Sequence, residues 1–236
     1  MNNQSWNFSI GEESKRLRQS MTSGRIFDIL RQAIIQLELL PGSVLSESEV
    51  AKQFGVSRQP VREAFIKLSE IKLLEIRPQR GTLVRLISKR EVNTARFLRE
   101  AIETSIVRKA TETASAENIA SLHANMLVHR SLKPDDYIIF HQLDEEFHQL
   151  LAKCADCEDA WHVLNNLKAQ MDRVRFLALP NDVTPISLIL KQHEEIVKAI
   201  ESRDADAAEK ALRNHLAEIQ VSLPCIAQKH PDLFLD

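Results

Sequence analysis

The chain has 236 residues, of which 44% are hydrophobic and 27% charged, with a formal net charge of −2 at pH 7. That length suits one large domain or two modest ones, and no apolar run approaches the roughly 20 residues that span a bilayer. Glycine is scarce, with five in the whole chain, and helical periodicity prevails, so the expectation is a mainly α protein.

The small net charge hides an asymmetry. Through Glu91 there are 15 Lys+Arg against 10 Asp+Glu, and beyond it 16 against 23. A basic front on an acidic back suggests that only the front meets a polyanion. All eight histidines lie at or beyond His123. Residues 1–21 read as a polar, flexible arm without the apolar core of a signal peptide, so the expected location is the cytoplasm.

Residues 23–38 form an amphipathic helix, with Ile26, Leu30, Ile34 and Leu37 on one stripe. Pro41 and Gly42 end it. Ser46 and Glu49 have the spacing of a capping box for a short helix to about Phe54. Gly55 supplies a turn, Ser57 caps the next helix, and Pro60 sits in its first turn, where a missing N–H costs nothing. Arg58, Gln59 and Arg62 project from that helix start, the end of a recognition helix that approaches bases and phosphates. Val61, Ala64, Phe65 and Leu68 face the other way, into a core. Leu74–Ile76 and Leu83–Val84 alternate as strands around Pro78–Gly81, and Arg77, Arg80 and Arg85 make this hairpin cationic. The whole is the layout of a winged helix-turn-helix that reads double-stranded DNA. A solvated basic surface on a small helical domain is the plainer alternative, but it does not require this order of caps, turn and hairpin.

From Lys89 onward the chain reads as an antiparallel all-α bundle, with helices near 91–112, 116–130, 135–153, 158–178, 186–202 and 205–222. Breaks are expected at Ala114–Ser115, Lys133–Pro134, Asp156, Leu179–Asp182 and Arg203–Asp204. The expected division is an arm (1–21), a winged head (22–87), a helical body (88–224) and a C-terminal tail (225–236). In the third helix Asp144 and His148 lie one turn apart on the face of Phe140, Phe147 and Leu151. His193 sits among Ile189, Ile196 and Ile200, and His215 among Ala211, Leu212 and Ile219. His193 precedes the turn at Asp204 by as many residues as His215 follows it, so an antiparallel hairpin puts both at one level. Burying these four groups without compensation is expensive. A divalent cation resolves the cost, because it takes carboxylate oxygen and neutral imidazole nitrogen as ligands. Zinc or nickel is the first expectation, with manganese behind them. Each residue taken singly reads as a hydrogen-bonded core group. His123, His129, His162 and His230 read as surface or boundary residues, and His141 as a possible support to the ligands. Cys154 and Cys157 have the spacing of a redox or zinc pair, but with no second pair they read as reduced thiols.

Residues 41–51, 55–64 and 77–81 resemble the GntR superfamily of bacterial transcription regulators, over roughly residues 22–87. The resemblance places Ser57, Arg58, Arg62 and Gly81 at or near DNA. Two departures stand out: Ser48, where many members have arginine, and Ile71–Lys72, where many have a glycine-containing turn. The bundle resembles the ligand-binding domain of the FadR subgroup, the FCD type, and the chain its RspR-like branch. Many FCD members carry an Asp-x-x-x-His pair and two later histidines as a metal site, which Asp144, His148, His193 and His215 match. The resemblance implies a homodimer on an operator and a small carboxylate effector on the ion. Arg99 matches a position where members often have arginine and is the candidate effector contact, with Arg173 and Arg175 behind it. The implied function is an effector-responsive regulator, a repressor first, and not an enzyme. A purely structural ion without effector is the alternative. A metal-dependent hydrolase is less favoured, because no general base stands in motif context.

Overall fold

The computed structural model describes residues 21–79, 81–133, 135–178 and 185–235. Its front part runs α1 (Ser23–Ile35), β1 (Val44–Leu45), α2 (Glu47–Phe54), α3 (Arg58–Glu70), β2 (Leu74–Arg77) and β3 (Gly81–Val84). Thr22 starts α1 by accepting the Arg25 amide proton. The stripe Ile26, Leu30 and Ile34 then buries against Phe54, Val61, Phe65 and Leu68. The three strands form an antiparallel sheet in the order β1-β3-β2, with Arg77 opposite Gly81 at the tip. β1 is too short for alternation to register in the sequence.

The expected capping box on α2 does not form. Ser46 occupies the N-cap position, yet its hydroxyl makes no cap bond and lies 2.8 Å from that of Ser48. Glu47 and Glu49 in the first turn favour the helix start by charge instead. Ser57 is likewise the N-cap of α3 without a side-chain bond. Gly81 is required twice over: its φ is +86°, and a Cβ there would lie 2.8 Å from Val44 Cγ1.

The body holds α4 (Lys89–Thr113), α5 (Ala116–Arg130), α6 (Tyr137–Cys154), α7 (Glu158–Leu167), α8 (Ala169–Ala178), α9 (Ile186–Glu201) and α10 (Ala205–Lys229). The long helices α4 and α10 pack along each other, α9 lies on α10, and α5 on α6. Val107, Leu122, Phe147, Leu164, Ile196 and Leu212 form the centre of the core. The single helix expected over 158–178 is two, broken at Lys168. Periodicity misses this break because the hydrogen bonds on either side continue: the Lys168 amide donates to the Leu164 carbonyl, and the Asp172 amide to that of Lys168. The expected break at Leu179–Asp182 falls outside the described residues.

The expected tail at 225–236 is a correction. α10 continues through Pro224 to Lys229, and after a short 3₁₀ turn (Pro231–Leu233), β5 (Phe234–Leu235) pairs in parallel with β4 (Ile87–Ser88). Proline removes the bond to the Gln220 carbonyl, but Gln220 is exposed, where an open carbonyl costs little. Phe234 is buried with Ile87, Val92 and Ile226.

Head and body meet through named contacts. Arg31 Nη2 donates to the Asn165 carbonyl (2.7 Å) and to its side-chain oxygen (2.8 Å). Gln170 Nε2 donates to the Lys72 carbonyl (2.8 Å), and Arg173 Nη2 to that of Arg85 (2.7 Å). Ala169 is buried in the head's own core. Among the described residues no helix is long and apolar enough to cross a membrane.

Candidate metal centre and nucleic-acid interface

Asp144 and His148 face inward from α6, His193 from α9 and His215 from α10, all buried. One potential ligand atom from each lies within 4.8 Å of the others. His148 Nε2 is 3.1 Å from His215 Nε2, and Asp144 Oδ1 is 3.5 Å from His193 Nε2. The His193 and His215 rings, on either side of the turn at residues 202–204, have centroids 4.7 Å apart.

The rings are held from behind. Phe147 stacks on His193 at 3.9 Å between centroids, and the Trp161 ring lies parallel to that of His148. Glu103 Oε2 approaches His148 Nδ1 at 2.6 Å, and Gln192 Oε1 lies 3.1 Å from His215 Nδ1. Gln192 hydrogen-bonds His215, while Glu103 stands at ion-pair distance from His148 Nδ1; partners of this kind favour one tautomer and leave Nε2 to ligate. Neither Glu103 nor Gln192 was singled out in the sequence. The signal available was that Arg99 and Glu103 fall within the inward stripe of α4, between Ala95 and Val107.

Both ring nitrogens of His193 and Oδ1 of Asp144 are buried without a hydrogen-bond partner. Each such orphan costs about 1–3 kcal/mol. Burial pushes His148 down to about 4 and His215 well below the ordinary imidazole range. Both are therefore neutral at pH 7, the state that ligates. Burial alone would raise Asp144, but Arg175 and His193 outweigh it and hold the carboxyl well below its usual range. Orphaned acceptors, neutral imidazoles and an ionised carboxylate within a few ångströms fit a divalent cation.

A cavity of about 40 Å³ adjoins the cluster, with Arg99, Arg175, His141, His215, Glu218 and Ser222 among its polar lining. That is room for a few waters. Arg99 is buried and ion-paired with Glu103, and its Nη2 has no partner. Arg175 donates from Nη2 to Asp144 Oδ2 at 2.5 Å, and its Nη1 has no partner. Arg173 turns away to the head–body junction. His129 is not a surface residue: it is 1% exposed, its ring 5.8 Å from that of His193.

In the head, Ser57, Arg58 and Gln59 are exposed at the start of α3. Gln59 Nε2 donates to Glu63 at 3.1 Å, and Arg62 forms a fork with Glu47, at 3.1 Å from Nε and 3.0 Å from Nη2. Gly81 closes the wing, and Arg80 lies outside the described residues. Arg85 does not add to the cationic face of the wing, because it pairs with Glu91 and donates to the Lys72 carbonyl.

Residues 22–84 match the model of the bacterial regulatory proteins, gntR family, and residues 95–218 that of the FCD domain. The HTH-type transcriptional repressor RspR of Escherichia coli (strain K12) is 44% identical over 214 residues, covering 89% of this chain and 92% of that protein. The chain belongs to the GntR family. Within this GntR group, the probable D-xylose utilization operon transcriptional repressor of Paenarthrobacter nicotinovorans is 30% identical, covering 86% of this chain and 89% of that protein. The solved E. coli McbR/YncC superposes with a TM-score of 0.73 at 18% identity, over 88% of this chain and 98% of that one, and shows the shared fold. The named GntR relatives are transcription regulators and not enzymes, so this chain is a DNA-binding regulator rather than a hydrolase.

Proposed function

We propose that this regulator is a homodimeric repressor whose hold on its operator responds to a small carboxylate bound beside a divalent ion in the body. The observation that carries the reading is the buried cluster of Asp144, His148, His193 and His215, one potential ligand atom of each within 4.8 Å of the others, with Asp144 Oδ1 and His193 Nε2 lacking hydrogen-bond partners. A bound zinc, nickel or manganese ion would supply positive charge and open coordination positions for the carboxylate. The unpartnered N–H groups of Arg99 and Arg175, beside the same cavity, are placed to neutralise it. On DNA, Ser57, Arg58, Gln59 and Arg62 would meet bases and phosphates, with Arg80 and Gly81 at the wing. Arg62 would exchange Glu47 for the nucleic acid. The relatives named as repressors favour repression as the direction.

Elemental analysis of the purified protein and of a His193→Ala/His215→Ala variant tests the reading. The expected result is about one divalent ion per chain, absent from the variant, with operator binding kept and the carboxylate response lost. No ion in the native protein, and none taken up after chelation and add-back, would overturn it. An Asp144→Ala variant that only melts lower, with its carboxylate response intact, would assign the ion a structural role.

A further inference from the structure

We propose a second small-molecule site at the head–body junction, suited to an uncharged polyhydroxylated molecule the size of a pentose or hexose. It shares only the lining residue His141 with the cavity beside the histidines and does not depend on the effector reading. A cavity of about 220 Å³ lies between α1 of the head and α6, α7 and α8 of the body.

Its charges balance in number. Arg31 and Lys168 stand against Glu145 and Asp172. Lys168, 1% exposed, is bonded to both carboxylates. Arg31 has committed Nη2 to Asn165. A carboxylate entering here would face Glu145 and Asp172, an ammonium would face Arg31 and Lys168, and either would lose its hydration, which is costly. What the cavity has left is hydrogen-bonding capacity of both kinds, donor and acceptor.

Three lining side chains each hold a buried atom with no partner: Asp172 Oδ1, Arg31 Nε and His141 Nε2. These are an acceptor, a donor and a ring nitrogen that serves as either. Hydroxyl groups suit such a mixture, because each one donates and accepts. Gln32 and Gln36 from the head and Gln142 and Gln149 from the body line the same space, and their amides have the same double capacity. Ile35, Ile138 and Phe176 supply an apolar face for the C–H side of such a molecule. A ligand bonded to glutamines of both parts would hold the head against the body.

The test uses the full-length native protein and four probes, xylitol, D-xylose, D-glucose and myo-inositol, with binding followed by ligand-observed NMR. Gln142 is exposed on α6, so Gln142→Trp fills the mouth of the cavity without disturbing the core, and its melting temperature checks that it folds. At least one probe should bind saturably in the millimolar range, with affinity falling about tenfold or more in Gln142→Trp. The same probe should bind the His193→Ala/His215→Ala variant as tightly as the native protein. The proposal fails if none of the four binds saturably at millimolar concentration, or if Gln142→Trp, folded, binds as the native protein does. It also fails if the histidine variant abolishes binding, which would place the polyol at the metal centre.

Discussion

Glu103 joins two groups of the proposed response, since its carboxylate touches both Arg99 and His148. Burial by itself would raise its pKa, but the Arg99 charge and His148 outweigh it and hold Glu103 at about 2. A Glu103→Gln substitution keeps the shape, removes the charge, and leaves a buried guanidinium without a counterion. Breaking such a pair costs about 3–5 kcal/mol, and losing a carboxylate behind a ligating imidazole weakens metal binding by about 10- to 100-fold. Urea unfolding and chelator competition measure the two effects. If both stay at native values, Glu103 has no positioning role. Cys154 gives a second expectation at this scale. Burial pushes its thiol up to about 11, whereas Cys157 and Cys225 are partly exposed. Iodoacetamide at pH 8 should therefore mark Cys157 and Cys225 and spare Cys154 until the protein unfolds, as peptide mass spectrometry would show. The four candidate ligands were legible because their spacings, one helical turn and equal distances from a turn, are geometric. Glu103 and Gln192 were not, because a lone acid or amide on a helix reads first as a solvated face.

Among the elements, α8 stands in contact with both ends of the proposed response. Arg175 bonds Asp144, while two residues earlier Arg173 reaches the Arg85 carbonyl at the base of the wing. Gln170 holds the Lys72 carbonyl, and Ala169 is part of the head core. A ten-residue helix that touches a candidate metal ligand and the head is a physical route for the proposed coupling. Arg173 is fully buried, and burial together with the nearby Arg85 charge pushes its pKa down to about 9. Removing this buried charge relieves its desolvation but takes the donor from the Arg85 carbonyl and from Gln170 Oε1, at about 1–3 kcal/mol each. Arg173→Met should therefore lower unfolding free energy by about 1–3 kcal/mol, leave metal content intact, and flatten the effect of the carboxylate on operator affinity. Fluorescence anisotropy with and without effector reads this, and an unchanged response would remove α8 from the route. The same scale shows where sequence reading stopped. Apart from α10, which runs seven residues past its expected end, and α7 and α8, expected as one helix, the helices were legible to within a few residues because their apolar stripes are long. The β4–β5 pairing was not, because two-residue strands have no period and Pro224 resembles a helix stop. Deleting residues 230–236 should cost about 1.5–3 kcal/mol for the burial of Phe234 alone, measured as a lower denaturant midpoint.

At the scale of the whole molecule, the basic front and acidic back separate the part that would meet DNA from the part that would sense. The surface at the start of α3 is exposed, its arginine either free in solvent or held by a single exposed ion pair to Glu47. Binding through such groups releases counterions, so the operator constant should fall steeply with salt, by a log–log slope of about −0.9 per phosphate neutralised. With Arg58, Arg62 and Arg80 acting in each of two copies, about six phosphates give a slope near −5. The slope then counts copies as well as contacts. Removing Arg58 from a homodimer removes it twice, so Arg58→Ala should shift the slope by about 2, against about 1 for a monomer on the same DNA. His193→Ala/His215→Ala, altered in the acidic body, should move the effector response and leave the slope where it was. Anisotropy titrations across a salt series, with all three proteins on one operator fragment, separate these quantities. A slope unchanged by Arg58→Ala would place phosphate contact elsewhere on the head. A shift of about one would leave the recognition helix in place and remove the second copy from the complex.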